Sequence, residues 1–253
     1  MSSRPTNDDV REVWDTLASY WDDQTQTGET WQGEHIGPAV EDVLLPVKGD
    51  RILELACGNG AFARRLTELG ASVVATDFSP AMIELARGHG GDIDYRLVDA
   101  TDARALRSLG HPSSFDAIVS NMAIMDMHDI EPMARATIEI VRPGGRFVVS
   151  TLHPAFNSGH STRVTEESED DTGVVRTNWV KTSRYRTSFA SKGVAIEDQP
   201  ITQWYFHRPI ELILDPFFTN GWIVDAFREP VLASSRFWSD VPGILVVRFR
   251  RPR

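Results

Sequence analysis

The chain has 253 residues, of which 41% are hydrophobic and 25% charged, and its formal net charge is -10. This size and composition predict one well-filled soluble domain, and the negative charge disfavours nucleic acid as a partner, because phosphate backbones are repelled. The single cysteine, Cys57, excludes an intrachain disulfide. An N-terminus without an apolar leader, and no apolar run of about 20 residues, favour a cytoplasmic protein without a membrane segment.

Residues 1–49 show two helical patterns ahead of any strand. The first has apolar residues at helical spacing behind the capping candidates Asn7 and Asp8: Val10, Val13, Trp14, Leu17, Ala18 and Trp21. The second, after the polar loop DDQTQTGETWQGE, consists of Ile36, Ala39, Val40, Val43 and Leu44. We expect Trp14 and Trp21, on the apolar face of the first predicted helix, to pack in the core. Tyr20 lies outside that face, and we expect it to contact a ligand.

Residues 50–151 alternate between strand and helix patterns. In chain order these are RILELA, AFARRLTEL, SVVAT, SPAMIELAR, DYRLVDA, TDARALRSL, FDAIVS, a helix through Met133 and Ile140, and RFVVST after the turn RPGG. Ser79 and Pro80 are typical of a helix start. Strands that alternate with helices predict parallel pairing through right-handed crossovers, and so a doubly wound sheet.

The alternation of strand and helix patterns stops in residues 152–208. Short runs of alternating apolar and polar residues there predict an antiparallel insertion. Its acidic run EESEDD is expected to be a solvated, mobile loop. The alternation of helix and strand patterns resumes in residues 209–253. PIELILDPFF predicts a helix that is strained or ends near Pro216, and WIVDAF and GILVVRF predict two further strands.

A glycine turn follows the first predicted strand. Gly58 and Gly60 stand between RILELA and a helix, so backbone N–H groups can approach a ligand closely at a helix N-terminus. With Asp77 about twenty residues further on, the turn also satisfies the dinucleotide-binding fingerprint. A nicotinamide-dependent oxidoreductase therefore stays open as an alternative.

Four segments, ELACGNG, VVATDFSPAMIELAR, LVDA and RPGGRFVVS, carry a family resemblance. Together they resemble class I S-adenosylmethionine-dependent methyltransferases, in particular the small-molecule group that includes the quinone-biosynthesis enzymes. ELACGNG resembles the first motif of that family, Asp77 in VVATDFSPAMIELAR its ribose-binding carboxylate, and Asp99 in LVDA the residue that bonds the adenine amino group. RPGGRFVVS resembles its Pro-Gly-Gly turn. The resemblance covers roughly residues 10–151 and 209–250. It implies a Rossmann-like α/β fold with a mostly parallel seven-stranded sheet, an antiparallel last strand, and S-adenosyl-L-methionine as cofactor.

The chemistry of the cofactor agrees with these positions. A ribose diol suits an ionised carboxylate, and a sulfonium cation suits an acidic strand end near Glu54. The predicted cofactor-binding residues are Glu54, Ala56, Gly58, Gly60, Asp77, Phe78, Asp99, Ala100, Asn121, Met122 and Tyr20. No Cys/His cluster indicates a metal.

Methyl transfer is an in-line displacement, so a base is needed only if the acceptor loses a proton. We expect His153 and His207 as candidate bases, because each leads away from or back to the sheet edge where the ligand lies. Residues 1–49 and 152–208 are expected to cover the site, with Trp31 among their aromatic residues and with hinges at Gly28 and Gly33. The partner is a small molecule with an oxygen, nitrogen or carbon nucleophile, and the protein a monomer or homodimer. A non-catalytic cofactor-binding module is the second open alternative.

Overall fold

The computed structural model describes residues 5–26, 31–171, 173–235 and 237–253. The predicted hinge Gly28 and the Trp31 side chain lie outside the described part. Among the described residues, no helix is both long and apolar enough to cross a membrane.

The described strands form one large sheet and two hairpins. In chain order they are β1 (Arg51–Leu55), β2 (Ser72–Asp77), β3 (Ile93–Leu97), β4 (Phe115–Ser120), β5 (Val141–Leu152), β6 (Ser161–Asp170), β7 (Gly173–Thr182), β8 (Phe189–Gly193), β9 (Gln203–His207), β10 (Ile223–Arg228) and β11 (Ile244–Arg250). The large sheet has the order β10-β11-β5-β4-β1-β2-β3. Within it, β11 runs antiparallel to both of its neighbours and the remaining pairs are parallel. The predicted fold class is therefore confirmed.

Helices cover both faces of the large sheet. They are α1 (Asn7–Gln26), α2 (Gly37–Leu44), α3 (Ala61–Glu68), α4 (Pro80–Gly88), α5 (Ala103–Arg107), α6 (Glu131–Ile140) and α7 (Ile210–Thr219). Strand side chains alternate between the faces: Ile52 packs with the apolar residues of α2, α3 and α4, and Leu53 with those of α5, α6 and α7. Ser79 caps α4 as predicted, since its side chain accepts the Met82 N–H at 3.1 Å. Sites of this fold form at the carboxyl edge of the parallel strands.

The insertion consists of two antiparallel hairpins, β6–β7 and β8–β9. EESEDD belongs largely to the exposed strand β6, so its prediction as a loop was wrong, because the cross-strand pairing with β7 decides its conformation. RPGG lies inside β5, at an irregularity in its pairing with β4, and was wrongly predicted as a separate turn. The helix α7 continues past Pro216 to Thr219.

Two described parts of the predicted loop between the N-terminal helices are helical instead. The helix α1 extends to Gln26, and the backbone of Trp31–Ile36 is already helical. Packing of α1 against α4 and its contact with β9 place this helix over the carboxyl edge of the sheet.

Candidate active site

A cavity of about 840 Å³ opens at the carboxyl ends of β1 to β4. That volume suits a nucleoside-sized ligand together with a small acceptor. Ten of the predicted site residues line it: Glu54, Ala56, Gly58, Asp77, Phe78, Asp99, Ala100, Asn121, Met122 and His207. Gly60, Tyr20 and His153 lie outside its lining.

Asp77, the last residue of β2, joins two turns of the cavity wall. One carboxylate oxygen accepts the Gly58 N–H at 2.9 Å and the other accepts the Ser79 N–H at 2.9 Å. Burial raises the pKa of Asp77 to about 6, although these backbone hydrogen bonds oppose the rise. Each oxygen keeps a further lone pair, so Asp77 can still accept hydrogen bonds from a bound diol.

Glu54, in β1, is buried beside Asp77 with little to neutralise it. Its Oε2 atom has no hydrogen-bond partner within the described residues. Burial and the nearby charge of Asp77 raise the pKa of Glu54 to about 8, while Arg64 acts in the opposite direction. A buried carboxylate without a partner is costly, so a cation bound in this cavity would stabilise its ionised form.

Asp99, which follows β3, is held in place from two sides. One oxygen accepts the N–H and the hydroxyl of Thr101, at 2.7 Å and 2.8 Å. The other accepts the side-chain amide of Asn7 at 2.5 Å. The predicted adenine partner thus also contacts the N-terminal helix.

The helix α1 crosses the ends of three adjacent strands and bonds to the turn after each. Beyond the Asn7 contact after β3, Ser79 donates its hydroxyl to Asp15 at 2.5 Å after β2. After β1, Asn59 donates its side-chain amide to Asp22 at 2.7 Å. These α1 residues are seven or eight positions apart, which is two helical turns, so they share one face of the helix. The sequence analysis missed this set, although its regular spacing of polar residues was visible.

The aromatic residues of α1 are arranged differently from the prediction. Trp14 and Trp21 line the cavity and contact each other, with ring centroids 6.0 Å apart, whereas we had expected them in the core. Tyr20 points elsewhere and donates its hydroxyl to the Glu197 carbonyl at 3.2 Å. The structure therefore does not bring Tyr20 to the other predicted cofactor residues, because one step along a helix turns a side chain by about 100°.

Gly60 serves the packing of the glycine turn. Its φ is +76°, and a Cβ at this position would collide with the Tyr95 ring. Gly60 thus lies behind the cavity wall and lets the turn approach β3 closely.

We expect Gly60→Ala to lower the free energy of unfolding by about 1–3 kcal/mol, because left-handed strain and overpacking add. Gly49→Ala is the matched control: its φ is +89°, and no atom of the described residues beyond its chain neighbours lies within 4 Å of the new Cβ. Urea-induced unfolding of both variants measures the difference. Equal losses at the two positions would show that the Tyr95 contact is unimportant.

Two non-glycine residues with left-handed backbone, Ala56 and Met122, follow the adjacent strands β1 and β4. Both line the cavity. The Met122 conformation is held by Ser150, whose hydroxyl accepts the Met122 N–H at 2.8 Å and donates to the Asn121 side chain at 2.6 Å. Such strain persists only where the surroundings enforce it, and it concentrates at functional sites.

His153 is buried and hydrogen-bonded within the fold, outside the cavity lining. It is 1% exposed, and its Nδ1 accepts the Ala155 N–H at 3.2 Å while Nε2 donates to Glu229 at 2.8 Å. Burial lowers its pKa. With both ring nitrogens engaged and no part in the cavity lining, His153 does not meet the geometric requirement for a base.

His207, at the end of β9, lines the cavity. Its Nε2 donates to the Tyr185 carbonyl at 2.7 Å, which leaves Nδ1 as the basic nitrogen of the neutral ring. Burial lowers its pKa, and its ring stacks on Phe189 with centroids 4.8 Å apart. Of the two predicted bases, the structure brings His207 to the site.

Asp126 and Gln203 are cavity residues that the sequence analysis did not select. Both line the cavity and are buried, at 9% and 2% exposure. Burial raises the pKa of Asp126 well above its ordinary value, and a hydrogen bond with Gln203 opposes the rise. The signal in the sequence was one acid inside the apolar run after β4, NMAIMDMHD, where Ile124–Asp126 forms a short 3-10 helix.

Comparisons with known proteins agree with this geometry. Residues 53–149, from β1 into β5, match the family described as a methyltransferase domain. A ubiquinone biosynthesis O-methyltransferase from Brucella anthropi is 37% identical over 112 residues, which is 43% of this chain and 43% of that protein. The aligned segment thus spans less than half the length of the curated relatives.

Structural similarity covers more of the chain. An S-adenosylmethionine-dependent methyltransferase from Mesorhizobium loti has a TM-score of 0.66 and 27% identity, and the alignment covers 85% of this chain and 96% of that one. The [4+2]-cyclase SpnF has a TM-score of 0.64 at 15% identity over 98% of both chains, which is a similarity of fold alone. These similarities support the class I S-adenosylmethionine-dependent methyltransferase that the sequence motifs indicated, with S-adenosyl-L-methionine as the cofactor.

Proposed function

We propose that this protein transfers the methyl group of S-adenosyl-L-methionine to a small-molecule nucleophile by in-line displacement. The observation that carries the proposal is the arrangement of Glu54, Asp77 and Asp99 at three adjacent strand ends around one cavity. Together they offer carboxylates for the cation, the ribose diol and the adenine amino group. The cofactor supplies a methyl group that is already electrophilic, so the protein has to align the acceptor and exclude water.

The cofactor residues divide by the part of the ligand that each suits. Glu54 faces the site of the sulfonium, and its unpartnered oxygen is the feature that fits a cation. Asp77 suits the ribose hydroxyls and Asp99 the adenine amino group. Trp21 adds a buried indole N–H without a hydrogen-bond partner among the described residues, which suits the cofactor carboxylate.

The acceptor binds in the remaining space beside Asn121 and Met122, against the inner face of β9. An oxygen acceptor has the additional support of the relatives named ubiquinone biosynthesis O-methyltransferases. Where the acceptor must lose a proton, His207 is the proposed base, because its Nδ1 is available and burial lowers its pKa, which favours the neutral ring.

Two observations are also compatible with other functions, and these can be tested. The glycine turn and Asp77 also fit a nicotinamide cofactor, and the neighbour SpnF is named as a cyclase. S-adenosylhomocysteine should raise the melting temperature, whereas NAD and NADP should leave it unchanged. Stabilisation by a nicotinamide cofactor alone would reject the proposal. Turnover of S-adenosylmethionine with a panel of phenols, amines and acids then separates an enzyme from a binding module.

The contacts of α1 predict a cover that closes over the cofactor. On binding of S-adenosylhomocysteine, residues 20–35 should gain protection from hydrogen exchange beyond that of the strands, because Trp21 lines the cavity and Asp22 bonds to the glycine turn. Hydrogen-exchange mass spectrometry measures this, with β10 as the internal reference. Equal exchange with and without the ligand would show that the segment is ordinary surface.

A further inference from the structure

The acceptor end of the cavity contains two buried oxygens that the fold leaves unsatisfied. Asp126 Oδ1 and Gln203 Oε1 have no hydrogen-bond partner within the described part of the chain. Their residues come from different elements, the 3-10 helix after β4 and the strand β9, which pack against each other. An unsatisfied buried polar atom costs about 1–3 kcal/mol, so a ligand that satisfies both is favoured.

The hairpin β8–β9 builds the wall around this pair. Gln203, Tyr205 and His207 alternate along β9 and therefore share one face, and all three line the cavity. Opposite Tyr205 and Gln203 in the pairing stand Ser191 and Gly193, which also line it. The pair thus lies in a continuous polar wall that faces the predicted methyl-transfer region.

The charges of the region favour a neutral ligand. Burial and the charge of Asp77 raise the pKa of Asp126, which favours the protonated carboxyl group, a form that can donate a hydrogen bond. Four cations line the same cavity: Arg65, Arg163, Lys192 and Arg208. Arg208 donates to the Ile124 and Met127 carbonyls on either side of Asp126, so its charge opposes an ammonium group beside this pair. A protonated carboxyl group that donates, beside an amide oxygen that accepts, matches a hydroxyl group, which accepts one hydrogen bond and donates another.

We propose that Asp126 and Gln203 form the recognition site for a neutral, hydroxyl-bearing acceptor. This inference rests on the proposed function and specifies the acceptor that the same cavity takes. The pair selects the acceptor by hydrogen bonding, and it discriminates against ethers, which cannot donate, and against ammonium groups, which cannot accept.

Three matched probes test the proposal on protein saturated with S-adenosylhomocysteine: benzyl alcohol, benzyl methyl ether and benzylamine. NMR titration gives their dissociation constants. Benzyl alcohol should bind at least about tenfold more tightly than either other probe, the range expected when one buried hydrogen-bond set is lost. Asp126→Leu and Gln203→Leu should each remove this preference. Asp129→Leu, an exposed change on the same loop outside the cavity lining, should leave it intact.

Thermal unfolding gives a readout that is independent of the probes. A recognition residue that the fold leaves unsatisfied should be replaceable without loss, so Asp126→Leu should keep or raise the melting temperature. If Leu at this position prevents folding, Asp126→Asn is the second variant. A lower melting temperature in both variants would assign Asp126 to structure and overturn the proposal.

The outcomes of the two proposals are distinguishable. Absence of stabilisation by S-adenosylhomocysteine would reject the proposed function itself. Stabilisation by S-adenosylhomocysteine without a preference for benzyl alcohol, tighter binding of benzylamine, or no measurable binding of benzyl alcohol would each overturn the recognition site alone.

Discussion

The affinity for S-adenosylmethionine should rise as much as roughly fiftyfold between pH 6 and pH 8, following the ionisation of Glu54. The pKa of Glu54 is about 8 because of burial and the charge of Asp77. At pH 6 almost all of the free protein carries protonated Glu54, and half of it is ionised at pH 8. A sulfonium cation favours the ionised form, so its binding releases a proton below pH 8 and strengthens as the pH rises.

Isothermal titration calorimetry measures this dependence and the released proton, with S-adenosylhomocysteine as the uncharged-sulfur reference. Glu54→Gln is the matched variant, and it should bind S-adenosylmethionine with a flatter pH profile. The comparison with the variant is needed because the amino group of each ligand and Asp77 also titrate in this range. Identical pH profiles for the variant and the wild type would contradict the assignment of Glu54 to the sulfonium.

The raised pKa of Glu54 makes the ligand-free fold less stable as the pH rises, although the same rise in pH should strengthen cofactor binding. Because the unfolded chain releases the Glu54 proton near pH 4.5 and the folded chain near pH 8, the free energy of unfolding falls as the pH rises through this range. Removing the ionisable group in Glu54→Gln should flatten that decline. The cofactor site therefore has a stability cost that ligand binding offsets.

Asp77→Ala is expected to weaken binding of S-adenosylhomocysteine by about 1.5–3 kcal/mol, the range of charged hydrogen bonds. The carboxylate is lost as an acceptor for the ribose, and the Gly58 and Ser79 N–H groups lose their partner. The glycine turn is thereby less well held against β2. We expect the fold to survive, because burying a carboxyl group with a raised pKa itself destabilises the folded state.

Asp102→Ala is the matched control for this experiment. Asp102 also accepts two backbone N–H groups, those of Arg104 and Ala105, but it is exposed and lies outside the cavity lining. Its loss should reduce stability by about 0.5–2 kcal/mol as a helix cap and leave ligand affinity unchanged. If Asp77→Ala retains full affinity, or if both variants lose the same amount, the ribose assignment is wrong.

The features of this protein that the sequence determined by itself depend on residues that are close together in the chain. The alternation of strand and helix patterns, the glycine turn with Gly58 and Gly60, and the cap at Ser79 each depend on a short window of residues. Periodicity and turn chemistry act over such windows, and the right-handed crossover rule extends them to a parallel sheet. The carboxyl edge of that sheet then follows from topology, whereas the roles of Asp77 and Asp99 at this edge came from the resemblance of their segments to methyltransferase motifs.

The tertiary structure decided which side chains meet at that edge. Asn7 and Asp99 are 92 positions apart, and Asp126 meets Gln203 across the insertion. Similarly, His153 and His207 were equivalent candidates in the sequence, and their surroundings separated them: Glu229 and Ala155 engage both ring nitrogens of His153. Such contacts depend on how the elements pack, and on which polar atoms remain unsatisfied once they do. No local pattern encodes that outcome, because the same residue in the same strand end can face a partner, the core or the ligand.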